Sequence, residues 1–125
     1  TARIRREDGF AMAHALCPPT PRRGLLLCDP SYEVKADYDS IPRHFARIAR
    51  AWNVGILVLW YPILASAAHG PMLTALTGAF PGDLRHEIRF PPVREGHRMT
   101  GSGLFVVNPP YGLAEETAHL SQLFG

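Results

Sequence analysis

The stretch Gly24-Leu25-Leu26-Leu27-Cys28-Asp29-Pro30-Ser31-Tyr32 sets a run of apolar residues directly before an acidic turn. A continuous apolar run of this length is typical of a strand that is buried on both faces, as in a parallel sheet. Asp29-Pro30 ends the run, since proline has no amide hydrogen and fixes its own backbone angle. The stretch therefore predicts a buried strand over residues 24–28 that carries Asp29 at its carboxyl end.

Helix and strand patterns alternate along the rest of the chain. Apolar residues at helical spacing predict helices over 10–16, 37–52, 65–77 and 114–123. Alternating or continuous apolar runs predict further strands over 2–6, 55–61, 84–90 and 103–108, with a polar loop over 91–102. This order predicts an α/β fold, with a parallel sheet and helices on both faces. The last two strands have no helix between them, so we expect an antiparallel pair at one edge.

Chain length, net charge and cysteine content limit the class of protein. A chain of 125 residues allows one domain at most. Its formal net charge of +2 suits an acidic partner such as nucleic acid but is too small to argue for one. No stretch reaches the roughly 20 apolar residues of a membrane span, so we expect no membrane partner. Cys17 and Cys28 lack metal-type spacing, which predicts no metal site and a reducing compartment such as the cytoplasm. The chain opens at Thr1 within an apparent strand, which favours a piece of a longer protein.

The turn after the first buried strand carries the groups that methyl transfer to an aromatic amine needs. Ligands of open α/β sheets bind beyond the carboxyl ends of the parallel strands. There the Asp29 carboxylate and the Pro30 carbonyl can accept the two amine hydrogens, and the Tyr32 ring can stack on a base. Holding a weakly nucleophilic amine against an already activated methyl group is largely a matter of positioning. The alternative is a plain turn in which Asp29 caps the next helix.

Several segments, taken in order, resemble the bacterial 23S ribosomal RNA (adenine-N6)-methyltransferase family, whose members are also described as proteins for the use of external DNA. The matching segments are Arg5-Arg6-Glu7-Asp8-Gly9-Phe10, Pro18-Pro19, the run from Arg22 to Tyr38, Leu59-Trp60-Tyr61-Pro62, Met99-Thr100-Gly101-Ser102-Gly103 and Val107-Asn108-Pro109-Pro110. The resemblance implies a Rossmann-like, class I S-adenosylmethionine-dependent methyltransferase sheet with an antiparallel edge hairpin. It also implies that residues 1–125 are the C-terminal part of one catalytic domain.

The resemblance assigns roles residue by residue. The family's Asp-Pro-Pro-Tyr motif falls on Asp29, Pro30, Ser31 and Tyr32, with Ser31 where the family usually has proline. It implies catalytic roles for Asp29, Pro30 and Tyr32, and S-adenosylmethionine contacts for Asp8, Gly9 and Asp29. Contacts to the target base are expected from Ser31, Tyr32, Lys35, Trp60 and Tyr61.

The family's glycine loop, which holds the methionine part of the cofactor, and its ribose-binding acid have no counterpart among these residues. We therefore expect this chain alone to bind S-adenosylmethionine poorly. By resemblance, two further strands lie between residues 2–6 and 24–28, so these two segments should not pair directly.

The implied partner is 23S ribosomal RNA, and the full-length protein is expected to be a monomer. The same turn could serve a DNA amino-methyltransferase, and a non-catalytic nucleic-acid-binding protein is the third interpretation. Asn108-Pro109-Pro110-Tyr111 also resembles an amino-methyltransferase motif, but an antiparallel last strand would carry it to the opposite edge of the sheet. Basic residues that could contact phosphates are Arg22, Arg23, Lys35, Arg94, His97 and Arg98.

Overall fold

A computed structural model describes residues 6–20, 22–32, 35–90 and 99–124 of the chain. Its elements are, in chain order, α1 Gly9–Leu16, β1 Leu25–Cys28, α2 Lys35–Ala51, β2 Ile56–Leu64, α3 Gly70–Ala79, β3 Leu84–Arg89, β4 Met99–Val107 and α4 Leu113–Phe124. The mixed α/β order predicted from the sequence is confirmed over these ranges. The strand predicted at 2–6 lies outside them except for Arg6, which is not in a strand, so its expected separation from β1 stays a prediction.

The four strands form one sheet in the order β1-β2-β4-β3. β1 runs parallel to β2, with Cys28 opposite Leu59. β4 runs antiparallel both to β2 and to β3, which confirms the predicted edge hairpin. The last strand therefore lies beside the second buried strand, as expected, and the carboxyl ends of β1 and β2 meet at one edge of the sheet.

The main core lies between one face of the sheet and the first three helices. α2 supplies much of it through Ile41, Phe45 and Ile48, and Trp52, just after the helix, adds to it. α3 packs beside α2, and α1 packs against α2 as well. α4 contacts β3 from the second face, where His86 Nε2 and Ser121 Oγ are 2.7 Å apart. Helices therefore cover both faces, but unevenly.

The prediction that β1 is buried on both faces was wrong within the described residues. Leu26 and Cys28 pack against the core, whereas Leu25 and Leu27 are 59% and 63% exposed. The reason is that α1, α2 and α3 share the other face, while α4 lies over β3, at the far side of the sheet. Within the described ranges β1 is an edge strand with one open face.

β2 is longer than the sequence predicted. The prediction ended this strand at Tyr61 because of Pro62, but β2 continues to Leu64 and α3 begins at Gly70 instead of residue 65. The Ile56 amide donates to the Gly24 carbonyl, so even-numbered amides of β2 point towards β1. β1 ends opposite Leu59, before the level of Pro62. Pro62 has no amide hydrogen to donate, but no β1 carbonyl lies opposite it, so the proline costs no hydrogen bond between the strands.

β4 also begins earlier than predicted, at Met99, so the loop interpretation of residues 91–102 was wrong for its last part; residues 91–98 lie outside the described ranges. Gly101 and Gly103 are required here by close approach. A Cβ on Gly101 would stand 2.4 Å from the Ile88 carbonyl oxygen, and one on Gly103 would stand 2.2 Å from the Tyr61 ring. Without side chains, these glycines leave room for the β3 backbone at Ile88 and for the buried Tyr61 ring.

Gly103→Ala should destabilise the protein by about 1–3 kcal/mol, the usual cost of forcing an extra methyl group into a packed core. The fully buried Tyr61 ring cannot move aside to make room. Denaturant unfolding measures the change. Gly78→Ala in α3 is the matched control, since its Cβ would meet nothing within 4 Å, and it should leave stability unchanged or raise it by at most about 1 kcal/mol. Equal effects of both substitutions would contradict the packing described here.

Candidate active site

A cleft of about 640 Å³ opens at the carboxyl end of β1, between α1 and α2. It brings together two segments that lie about 20 residues apart in the sequence: Asp8 and Gly9 at the start of α1, and Asp29, Pro30 and Ser31 after β1. The α2 residues Asp37, Ser40, His44, Phe45 and Ile48 form the opposite wall. Of the predicted cofactor and catalytic residues, all except Tyr32 line this one cleft.

Asp29 is one of two exposed acids that line the cleft, the other being Asp8. Its carboxylate accepts no hydrogen bond and forms no ion pair with any residue in the described ranges. The capping alternative is not realised there either, because no described backbone amide donates to this side chain. The parallel pairing of β1 with β2 fixes where Asp29 stands and leaves its oxygens available to a ligand.

Asp8, in contrast, is held by the backbone that follows it. Its Oδ1 accepts hydrogen bonds from the Phe10 and Ala11 amides at 2.9 and 3.5 Å, as the N-cap of α1. This orients the carboxylate at the rim of the cleft and leaves Oδ2 without a described partner. At Gly9 a Cβ would meet nothing within 4 Å, so the cleft is open beside the cap.

Tyr32 is locked in place by its hydroxyl group. It has a φ of 57°, which is uncommon for a residue with a side chain. Its hydroxyl donates to the Trp60 carbonyl at 2.6 Å, and its ring lies 4.8 Å from that of Tyr38. Burial is the main cause that raises the pKa of Tyr32 well above its usual value, so the hydroxyl stays protonated and keeps donating throughout the physiological pH range.

Trp60 and Tyr61, expected at the target base, do not line the described cleft. Tyr61 is fully buried on the core face, and its hydroxyl donates to Glu87 Oε2 at 2.9 Å. The Trp60 side chain projects from the other face of β2, opposite Leu104. The side chain of Lys35 lies outside the described part. A role for these three residues at the base stays a prediction.

The thiol of Cys28 lines the cleft without being a reactive group. Burial, and next the neighbouring Asp29, raise the pKa of Cys28 to about 11. The thiol is therefore protonated near neutral pH and is a poor nucleophile. Within the described ranges no group of three or more His, Cys, Asp or Glu side chains could hold a metal ion, and no helix has the length and apolar character needed to cross a membrane.

A histidine pair in the cleft wall had no sequence signal. His14 Nε2 and His44 Nδ1 lie 2.9 Å apart, and the Phe10 ring stacks on His44 with centroids 4.2 Å apart. Burial first, and the charge of Arg47 next, lower the pKa of His14. The two histidines are 30 residues apart and sit on different helices, so only the packing of α1 on α2 reveals the contact. This packing fixes one wall of the cleft.

The second motif, Asn108-Pro109-Pro110-Tyr111, lies at the opposite edge of the sheet. β4 is antiparallel to β2, and its last residue Val107 pairs with Leu57 near the start of β2. The Asn108 side-chain amide donates to the carbonyls of Asn53 and Gly55 at 2.9 and 3.0 Å. These bonds tie β4 to the turn before β2, which is a structural role.

A parallel pair followed by an antiparallel hairpin, with a cleft at the carboxyl end of β1, is the arrangement expected for the C-terminal part of a Rossmann-like methyltransferase sheet. The sequence agrees with the fold. Over residues 1–124 it matches the family described as ribosomal RNA large subunit methyltransferase D, RlmJ. The chain belongs to this family.

Individual relatives support the same assignment. The chain is 35% identical over 116 residues to ribosomal RNA large subunit methyltransferase J of Escherichia coli, covering 92% of the chain and 41% of that protein. It is 32% identical over 111 residues to the Haemophilus influenzae protein of the same name, covering 88% of the chain and 40% of that protein. The crystal structure of protein LPL1258 from Legionella pneumophila superposes with a TM-score of 0.85 at 32% identity, covering 94% of the chain and 43% of that structure. The chain thus spans about two fifths of the length of its relatives.

Tyr32→Phe keeps the ring but removes the hydrogen bond to the Trp60 carbonyl. We expect a loss of about 1 kcal/mol of unfolding free energy, typical of a single hydrogen bond whose acceptor is left partly buried. Tyr111→Phe is the control, because Tyr111 is fully exposed at 107%. Denaturant unfolding of both variants checks the expectation. If Tyr32→Phe were as stable as Tyr111→Phe, the hydroxyl would not be what holds Tyr32 in its left-handed conformation.

Proposed function

We propose that the protein to which this chain belongs transfers a methyl group from S-adenosylmethionine to the N6 amino group of an adenine in 23S ribosomal RNA. The observation that carries the proposal is the unpartnered Asp29 carboxylate, which shares a cleft with Asp8 and Gly9. Family membership supports ribosomal RNA as the substrate. The adenine amine follows from the acceptors of the turn and from the resemblance of residues 29–32 to the Asp-Pro-Pro-Tyr motif.

The charge of the cleft suits a cationic methyl donor. Its titratable lining residues are Asp8, Asp29, Asp37, His44 and the protonated Cys28, and no Lys or Arg is among the lining residues that the structure describes. A negative site attracts a sulfonium and disfavours a phosphate. S-adenosylmethionine, when bound, supplies a methyl group already activated on sulfur. Asp8 and Gly9 would hold its adenine end, and Asp29 would lie towards the methyl group.

Asp29 and the Pro30 carbonyl then act on the substrate amine. The amine lone pair is delocalised into the adenine ring, and two acceptors on its hydrogens favour the pyramidal form in which the lone pair points at the methyl group. This interaction is stronger in the transition state than in the ground state, so it lowers the barrier instead of merely binding substrate. Tyr32, fixed by its hydroxyl, would offer its ring to the base. Ser31 supplies neither acceptor, so the departure from proline is compatible with this chemistry.

An RNA substrate and a DNA substrate present similar amino groups and differ in the nucleic acid that surrounds them. A DNA adenine or cytosine amine would need the same two acceptors, so the family assignment is what favours ribosomal RNA. Pure nucleic-acid binding does not need a carboxylate that can hold an amine at the end of β1, so Asp29 favours the enzyme. We also propose that residues 1–125 form part of one catalytic domain, and that the full natural protein is monomeric and acts in the cytoplasm, where its substrate is made.

The direct test is transfer of a labelled methyl group from S-adenosylmethionine by the full natural protein to unmodified ribosomal RNA. We expect label in the RNA, and none with a DNA duplex under the same conditions. Label in DNA alone would favour the DNA amino-methyltransferase. Binding of nucleic acid with no transfer to either would favour the non-catalytic interpretation.

Asp29→Ala should lower the single-turnover methylation rate on the order of a hundredfold or more, as expected for a lost transition-state hydrogen bond to a charged group. RNA affinity should change little, since one side chain of the contact surface is removed. Asn108→Ala tests the second motif at the other edge, and should keep the rate within a few fold once thermal unfolding shows that it is folded. An active Asp29→Ala enzyme beside an inactive, folded Asn108→Ala enzyme would reverse the assignment of the two motifs.

A further inference from the structure

A stripe of arginines runs along the outer face of α2. Arg43, Arg47 and Arg50 are all exposed. Positions four and seven residues apart fall within roughly 60° of one another at 3.6 residues per turn, so the three side chains share one face of the helix. The opposite face is the apolar one that packs in the core, with Ile41, Phe45 and Ile48. We call Arg43, Arg47 and Arg50 the α2 arginine stripe.

The stripe is not neutralised within the described part of the chain. The ion pairs found there join Arg85 and Arg89 to Glu87, and none involves α2. Asp39 is the one acid on the same side of the helix, four residues before Arg43, and no ion pair joins the two. Like charges four residues apart disfavour a helix. The described residues supply no compensating ion pair, and three exposed positive charges on one helix face attract an anionic partner.

The stripe borders the cleft. Ser40 and His44, which line the cleft, lie on the side of α2 next to the stripe. Arg47 is close enough to act electrostatically on His14, whose ring is hydrogen-bonded to His44 in the cleft wall. From Arg43 to Arg50 the stripe extends about 10 Å, at 1.5 Å per residue. Of the three, Arg43 is nearest to the Asp29 end of the cleft, because Trp52, just after Arg50, packs at the start of β1. An RNA chain that left the cleft along α2 would therefore meet Arg43 first, then Arg47 and Arg50.

We infer that the α2 arginine stripe binds the phosphate backbone of the substrate RNA beside the target nucleotide. The inference rests on the proposed function and adds a contact surface to it. Acids line the cleft, whereas the arginines lie on the exposed face of α2 beside it. A site for a cationic donor and an amine is thus separate from a site for phosphates. Phosphate contacts hold the register of a nucleic acid without reading its sequence, so the stripe should set affinity and leave the chemical step unchanged.

The test uses the full natural protein and an unmodified transcript of 23S ribosomal RNA, with the dissociation constant measured across a range of KCl concentrations. Replacing all three arginines with glutamine should reduce the magnitude of the slope of log affinity against log salt by roughly two to three, since each lost phosphate contact removes roughly 0.7–0.9. Affinity at low salt should fall at least about tenfold. The single-turnover rate at saturating RNA should stay within about twofold of wild type.

Control variants separate charge from structure. The triple lysine variant keeps the charges and should retain the salt slope, whereas Asp39→Asn removes the one acid on this side and should tighten RNA binding. The triple glutamine variant should unfold at the wild-type temperature or above, because it relieves like-charge repulsion. The inference would be overturned if the glutamine variant kept the wild-type salt slope, or if its weaker binding were explained by a lower unfolding temperature. The proposed function would still stand in either case if the wild-type protein methylated the transcript. A wild-type protein that neither bound nor methylated the transcript would refute both, and would point to an acidic protein as the partner of the stripe.

Discussion

The parallel pairing of β1 with β2 is the constraint on which the site depends. With Cys28 opposite Leu59, the turn after β1 stands beside the second half of β2. That register lets the Tyr32 hydroxyl reach the Trp60 carbonyl and leaves Asp29 facing the cleft. A slip of one residue would turn Leu26 and Cys28 away from the core and move the acid with them. The register of β1 and the position of the turn are therefore one feature of the fold.

Charge is divided over a short distance around this turn. Carboxylates line the cleft, and the exposed face of α2 carries arginines. The helix makes this possible because its spacing places Ile41 and Phe45 in the core, His44 in the cleft wall and Arg43 at the surface within a single turn and a half. The same sequence period that builds the core thus also sorts the polar groups by function.

The parts of the fold that were predictable are those governed by local pattern. Patterns such as the apolar run before Asp29 and the helical spacing of α2 predicted the type and order of the elements. The lack of a helix between the last two strands predicted the antiparallel hairpin. The ends of β2 and β4 were mispredicted because they depend on a neighbour. Pro62 is tolerated because β1 stops short of it, and Gly101 extends β4 because it lets the strand lie close to the Ile88 carbonyl. The sequence likewise holds no sign that His14 meets His44, a contact made by two helices across 30 residues.

The central claim is that the turn at Asp29 holds an exocyclic amine of adenine. Nucleoside mass spectrometry of ribosomal RNA methylated by the full natural protein tests it most directly, because it identifies the atom that receives the methyl group. The account requires N6-methyladenosine as the product. A methyl group on a ribose hydroxyl, on a ring carbon or on a base without an amino group would contradict it, because none of these acceptors presents two hydrogens to Asp29 and the Pro30 carbonyl.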